Sequence, residues 1–241
     1  MPAEALHDQR SHDGFRVGFC VSGAGRLCRA ALAMRDALGV VPAIVIADEK
    51  AAADLPEDCA THVTPFVRLD ARDRAAFDSA LSLHVLGAQL DLLVLTFDRL
   101  IPAALLDGLA APVINVHMSL LPAFQGFRAT HRALSAGVRF VGASIHEVVA
   151  EADAGPPVSQ CLTVVRPEDD EADIGTRLFA RLLPMYLQTI AWYAEGRVER
   201  GGDGRIWVRG ASYDEGLVSP DVETRIVDLA RAARPSRLAS L

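Results

Sequence analysis

An amide and an imidazole stand two positions apart where an apolar run ends, in Val113-Ile114-Asn115-Val116-His117. In an extended chain that spacing puts both side chains on one face. A carboxamide can donate to an oxygen that gains negative charge, and an imidazole can donate to it or carry a proton, so the pair suits acyl transfer. Asp153 stands in Asp153-Ala154-Gly155-Pro156, where a loop could present its carboxylate to His117 and orient the ring. Each residue alone has a plainer account. Asn and His often satisfy loop backbone, and Asp before Gly often only supplies turn geometry. The three groups together suit acyl transfer.

These groups need elements that bring them to one place. Phe15 to Val21 is a β-rich apolar run closed by Ser22-Gly23-Ala24-Gly25, and Leu27 to Leu38 then carries apolar residues at helical spacing. Val40 to Ala47 reads as a second strand, Ala71 to Gly87 as a helix, and Leu92 to Thr96 and Val113 to Val116 as further strands. Strands alternating with helices predict an α/β, doubly wound, mostly parallel sheet of Rossmann-like form, whose ligands bind outside the carboxyl ends of the strands. Asn115 and His117 stand at such an end.

Beyond Arg128 the pattern changes. A short helix to Ala136 precedes Val141 to Val149 and Val158 to Val165, which predict antiparallel strands around the Asp153 turn. A long helix follows from about Glu171 to Glu195, with Ile174, Leu178, Leu182 and Tyr186 on one stripe. Gly201 to Gly204 before Ile206-Trp207-Val208 suggests a hairpin, and the last segment a helix with Arg225, Arg231 and Arg234 exposed. The expected organisation is a mobile leader over residues 1–14, a catalytic domain over 15–210 and a tail with a helix over 211–241.

Composition narrows the classes. Of 241 residues 51% are hydrophobic, which matches a globular chain, and 31 acidic against 24 basic residues give a net charge of -7, unfavourable for a nucleic-acid partner. Cys20, Cys28, Cys59 and Cys161 form no CxxC pair and read as buried free thiols of a reducing compartment. No secretory signal pattern opens the chain, and the apolar stretch Leu182 to Ala194 falls short of the roughly 20 residues a bilayer needs, so the cytoplasm is expected and no membrane partner is.

Asn115-x-His117-x-Ser119-Leu120-Leu121-Pro122 followed by Gly126, then Asp153-Ala154-Gly155-Pro156, with Gly23-Ala24-Gly25 near the start, resembles the glycinamide ribonucleotide transformylase (phosphoribosylglycinamide formyltransferase) family of 10-formyltetrahydrofolate-dependent formyltransferases. The resemblance runs from about Val17 to Gly196 and includes the aromatic stretch Ile190 to Gly196. It implies that Asn115, His117 and Asp153 are catalytic, that no metal takes part, and that the folate lies along Asp98, Arg99, Leu100 and Ile101 with Arg74 near its glutamate tail. Gly23, Gly25, Arg26 and Leu27 fall on the loop that holds the acceptor.

The departures are as informative. Met118 replaces a usual proline, Arg26 and Leu27 replace small polar residues of the phosphate loop, and Leu182 falls on the acceptor-binding glutamate. Donor side and catalytic centre are kept while acceptor contacts are not. The resemblance therefore implies transfer from 10-formyltetrahydrofolate to a small-molecule amine, and the departures predict an altered acceptor site that uses glycinamide ribonucleotide poorly or not at all, with Arg26 favouring an anionic amine. Two rival readings stand beside it. Gly23-Ala24-Gly25 and Asp48 imitate the dinucleotide fingerprint of an NAD-dependent oxidoreductase, although Cys28 stands where the third glycine belongs. A catalytically inactive folate-binding module is the other.

Overall fold

The computed structural model of the protein describes residues 14–233. Residues 1–13 of the expected leader, and Arg234, lie outside that range. The first half winds through β1 (Phe15–Val21), α1 (Arg26–Leu38), β2 (Val40–Ala47), α2 (Leu55–Thr61), β3 (Phe66–Arg68), α3 (Arg74–Gly87), β4 (Leu92–Thr96), α4 (Ala103–Gly108) and β5 (Val113–His117). The second half adds α5 (Ala129–Ser135), β6 (Phe140–Glu147), β7 (Pro157–Val164), α6 (Glu171–Ala194), β8 (Val198–Arg200), β9 (Ile206–Val208), β10 (Val218–Ser219) and α7 (Thr224–Ala232). One eight-stranded sheet has the order β10-β7-β6-β5-β4-β1-β2-β3, and β8 and β9 form a separate hairpin. Strands β1 to β5 pair in parallel, and β6, β7 and β10 join antiparallel. This is the doubly wound, mostly parallel sheet with an antiparallel C-terminal portion that the strand and helix order implies.

The central strands lack polar alternation because both their faces are covered. Val17, Phe19 and Val21 of β1 and Leu92 and Val94 of β4 enter a core with α1, α6 and α7. The intervening Cys20, Leu93 and Leu95 enter a second core with α3 and α4. Helix α6 lays Leu178, Leu182, Tyr186 and Ile190 into the first core and opens on a capping box between Asp170 and Asp173. It runs through Pro184. Among the described residues no helix is long and apolar enough to cross a membrane.

The expected helix from Ala71 instead starts at Arg74, because the Asp73 side chain accepts hydrogen bonds from the backbone N–H groups of Ala75 and Ala76 and fixes the N-terminus there. Strand β5 extends one residue further, to His117. Helices α2 and α4 and strand β3 were not anticipated; each is too short for its periodicity to stand out. Residues after the hairpin pack on the main sheet: β10 pairs with β7, and Ile226 of α7 is fully buried against the first core. Arg225 is exposed and forms ion pairs with Glu195 and Glu223, while Arg231 pairs with Asp228, so both belong to a solvated charged face.

Candidate active site

Asn115 and His117 lie at the carboxyl end of β5, and the β6–β7 turn brings Asp153 to them. His117 Nδ1 is 3.3 Å from Asp153 Oδ2, with both side chains largely shielded from water. Asp153 adopts a left-handed backbone with φ 53°, a conformation that Asp tolerates better than most residues, and its carboxylate accepts a 2.8 Å hydrogen bond from Gly126 N–H. The other ring nitrogen of His117, Nε2, lies 3.1 Å from the Phe124 carbonyl. The amide, imidazole and carboxylate singled out in the sequence are therefore assembled at one point.

A fourth group, His146, was not among the expected residues. It sits opposite Asn115 in the β5–β6 register and is 2% exposed. Its Nδ1 lies 3.0 Å from the Glu147 carbonyl, which can only accept, so Nδ1 carries the hydrogen. Burial lowers the ring's pKa below its ordinary value, against opposing contributions from the Glu147 carbonyl and Asp153. The ring is then neutral, and Nε2 presents a lone pair. Asn115 Nδ2 lies 3.2 Å from that nitrogen and donates one of its two hydrogens to it. The second amide hydrogen stays available for substrate. The 3.6 Å approach of His146 Nε2 to Asp153 Oδ1 is accordingly not an ion pair, since it sets a lone pair against a carboxylate. A polar residue inside the apolar run from Val141 to Val149 was the only sequence signal for His146.

The loop after β5 is held from behind by two further unforeseen residues. Ser144, fully buried and opposite His117, donates to the Ser119 carbonyl at 2.7 Å and accepts from Leu121 N–H at 3.0 Å. Gln160 of β7 donates to the Leu121 carbonyl and to Ser144 Oγ, at 3.0 and 2.8 Å. Ser119 Oγ in turn donates to the Ala123 carbonyl at 2.6 Å. The Asp153 turn is held by close approach of backbone: a Cβ on Gly155 would stand 1.7 Å from the Glu147 carbonyl oxygen, so no other residue fits there without displacing the strand.

These groups open into one cleft of about 770 Å³. One wall is the segment from Phe97 to Ile101 with Leu106 and Val148, and the other is formed by residues 24–27 with Phe179 and Leu182. Asp98, Arg99, Leu100, Ile101, Gly25, Arg26 and Leu27 all line it. Gly23 does not, and neither does Arg74, whose guanidinium bonds the Asp78 carboxylate and the Leu100 carbonyl at 2.8 and 3.0 Å on the outer side of the loop. Leu27 is 8% exposed and contributes mainly to the core.

Asp48, the residue on which the dinucleotide reading depended, is fully buried and already engaged. Its Oδ2 accepts from Ser22 Oγ at 2.8 Å and from Arg99 Nε at 3.2 Å, and Ser22 Oγ also accepts from Asp98 N–H at 3.1 Å. No oxygen faces the cleft to hold a ribose. All four cysteines are buried free thiols, and burial pushes the Cys20 and Cys161 thiols up to about 12. Among the described residues no group of three or more His, Cys, Asp or Glu side chains could hold a metal ion.

The chain is similar to formyl transferases in sequence and in fold. The formyl transferase family matches residues 15–189. Over 141 residues the chain is 33% identical to the phosphoribosylglycinamide formyltransferase of Escherichia coli, an alignment covering 58% of this chain and 66% of that protein, just under two thirds of its length. The structure of glycinamide ribonucleotide transformylase 1 from Symbiobacterium toebii superposes with a TM-score of 0.74 at 30% identity, covering 85% of this chain and 98% of that one. A formyltetrahydrofolate deformylase from Pseudomonas syringae superposes with a TM-score of 0.73 at 28% identity, covering 80% and 65%.

Proposed function

The chain belongs to the formyl transferase family, and from that premise we propose that it moves a formyl group from 10-formyltetrahydrofolate to a small-molecule amine of anionic character. The observation that carries this reading is the convergence of Asn115, His117 and Asp153 on one end of β5, inside a cleft large enough for a folate and lined on its donor side by Leu95, Phe97, Ile101, Leu106 and Val148. Such a wall suits a flat heterocycle, and the irregular backbone of residues 97–101 supplies polar groups at its edge. Arg74, which bonds Asp78 and the Leu100 carbonyl and does not line the cleft, would in this reading meet an anionic tail only by leaving Asp78.

In this mechanism Asn115 uses the amide hydrogen not given to His146 to stabilise the oxyanion. His117, oriented by Asp153, donates to the same oxygen and carries the proton. A bond forms between the amine nitrogen and the formyl carbon, the bond from that carbon to the folate nitrogen breaks, and the proton lost by the amine ends on the departing nitrogen. A formyl oxygen that reaches His117 Nε2 replaces the Phe124 carbonyl as its partner.

On the acceptor side, Arg26 supplies a positive charge beside Gly25, and Leu182 offers no hydrogen-bond acceptor. Glycinamide ribonucleotide is accordingly a poor substrate in this proposal, and Arg26→Ala raises the Michaelis constant of the true acceptor. Leu182 also packs into the core at 2% exposure, so Leu182→Glu is informative only when its melting temperature shows that the buried carboxylate is tolerated. The test is release of tetrahydrofolate from 10-formyltetrahydrofolate across a panel of amines. Efficient formylation of glycinamide ribonucleotide would overturn the acceptor assignment.

A second reading follows from the same apolar acceptor wall and from the likeness to a formyltetrahydrofolate deformylase. Water could take the amine's place. Formate released without any amine, at a rate amines do not increase, would favour it.

A further inference from the structure

The acceptor half of the cleft lacks the groups that a sugar would require. Two carboxylates line the cleft, and both are committed: Asp98 lies 3.5 Å from Lys50 Nζ, and Asp153 serves His117 and Gly126. The remaining lining includes Ala24, Gly25, Arg26, Phe179 and Leu182, with Phe127 and Arg128 following Gly126 on the Asp153 side. Hydroxyl groups placed against it would give up water and find no side-chain acceptor, a cost that discriminates strongly between polar and apolar ligands.

Three features of this lining are positive signs rather than absences. Arg26 Cζ stands 4.2 Å over the centroid of the Phe179 ring, so the guanidinium is held against an aromatic face, and among the described residues it has no carboxylate partner. Phe127 leaves 71% of its surface exposed at the lip. Leu182, although only 2% exposed, is the aliphatic residue of α6 that reaches the lining beside Phe179. Phe127, Phe179 and Leu182 with two cations, Arg26 on the Phe179 ring and the exposed Arg128 beside Phe127, form an amphipathic surface whose charge is positive.

We infer that the acceptor is an amine with an apolar or aromatic body that lies on Phe179 and Leu182 and ends in an anionic group on Arg26, and that it is not a sugar. This rests on the formyl-transfer reading above. Phe179 thereby becomes the residue that sets specificity: it contacts the ligand body and also fixes the direction of the guanidinium.

The experiment uses the full chain with 10-formyltetrahydrofolate and matched amines: aliphatic or aromatic amino acids, amino sugars carrying a carboxylate or a phosphate, and uncharged analogues of each. Tetrahydrofolate release is followed, and binding of each amine is measured by calorimetry without donor. The apolar anionic amines are expected to exceed the amino sugars in kcat/KM by about tenfold or more. Phe179→Ala should raise the acceptor KM about tenfold and leave the donor KM unchanged, with Phe179→Leu partly restoring it; Arg26→Gln should remove the advantage of the anionic end only. Equal or better use of an anionic amino sugar, or an acceptor KM indifferent to Phe179→Ala, overturns the inference. If no amine increases tetrahydrofolate release but calorimetry still ranks the amines in this order, the formyl-transfer reading fails while the ligand class stands. If neither binding nor turnover ranks them so, the ligand class fails whatever the donor does. Melting curves of both Phe179 variants show that they are folded.

Discussion

At His146 the hydrogen bonds admit one arrangement that also suits the role proposed for Asn115. A neutral ring with its hydrogen on Nδ1 keeps the Asn115 Nδ2 group turned toward it, which fixes where the second amide hydrogen points. Protonation would put a hydrogen on Nε2 and invert the contact, favouring the amide oxygen there and withdrawing the oxyanion donor. His146→Gln should therefore lower kcat by about ten- to a hundredfold with little change in donor KM. Burial holds the His146 pKa below 6.5 in the folded protein. Between the lowered value and 6.5 the unfolded chain binds the proton and the folded chain does not, so stability rises with pH through that window and is lost as pH falls through it. His62, also lowered by burial and by Arg35, acts in the same direction. Melting temperatures of the natural protein and His146→Gln from about pH 5 to 8 separate the two contributions: the variant should retain only the shallower slope, and equal slopes would contradict the account. His117→Ala should leave the fold intact and reduce turnover by on the order of a hundredfold or more, read by tetrahydrofolate release.

The strands and the two connecting segments around them determine whether those groups meet. Ser144→Ala removes a hydroxyl that bonds Ser119, Leu121 and Gln160, and should cost about 1–3 kcal/mol while loosening the loop behind His117. Unfolding in denaturant measures the first effect and kcat the second. Gly155→Ala should be more damaging, because its Cβ meets the Glu147 carbonyl next to His146; loss of activity with a lowered melting temperature is the expected result. The sequence made the central strands legible, since a run such as Leu92 to Thr96, buried on both faces, can be little else. Asn115 and His117 were legible because their period-two spacing sits inside one strand. His146, Ser144 and Gln160 were not, because their role depends on the β5–β6 and β6–β7 registers, and a slip of one residue would turn each to the opposite face. Register between residues 16 or 31 positions apart in the chain is a property of the packed sheet.

Over the whole molecule, the segment after the hairpin is fastened to α6 by polar groups as well as by packing. Gln188, a fully buried polar residue within the apolar stretch, donates to the Asp221 carbonyl at 2.9 Å and accepts from Glu223 N–H. Glu223 also accepts from Trp192 Nε1 at 3.0 Å, and Arg197 and Arg225 help hold its carboxyl below the usual range. Ile226→Ala should cost about 2–4 kcal/mol, visible as a lower melting temperature, with the donor KM unchanged because α7 lies away from the cleft. A buried carboxylate helps join the two walls of that cleft. Asp48 Oδ2 is shared by Ser22, at the root of the proposed acceptor wall, and Arg99, on the proposed donor wall, while Ser22 Oγ also receives Asp98 N–H. Displacement of either wall is felt by the other, and thermodynamic linkage makes the effect equal in both directions. The affinity for 10-formyltetrahydrofolate should thus change when an acceptor is bound, by the same factor as the reverse, and Asp48→Asn should diminish both in calorimetry. Occupancy of one half of the cleft is then written into the affinity of the other, through a fully buried carboxylate.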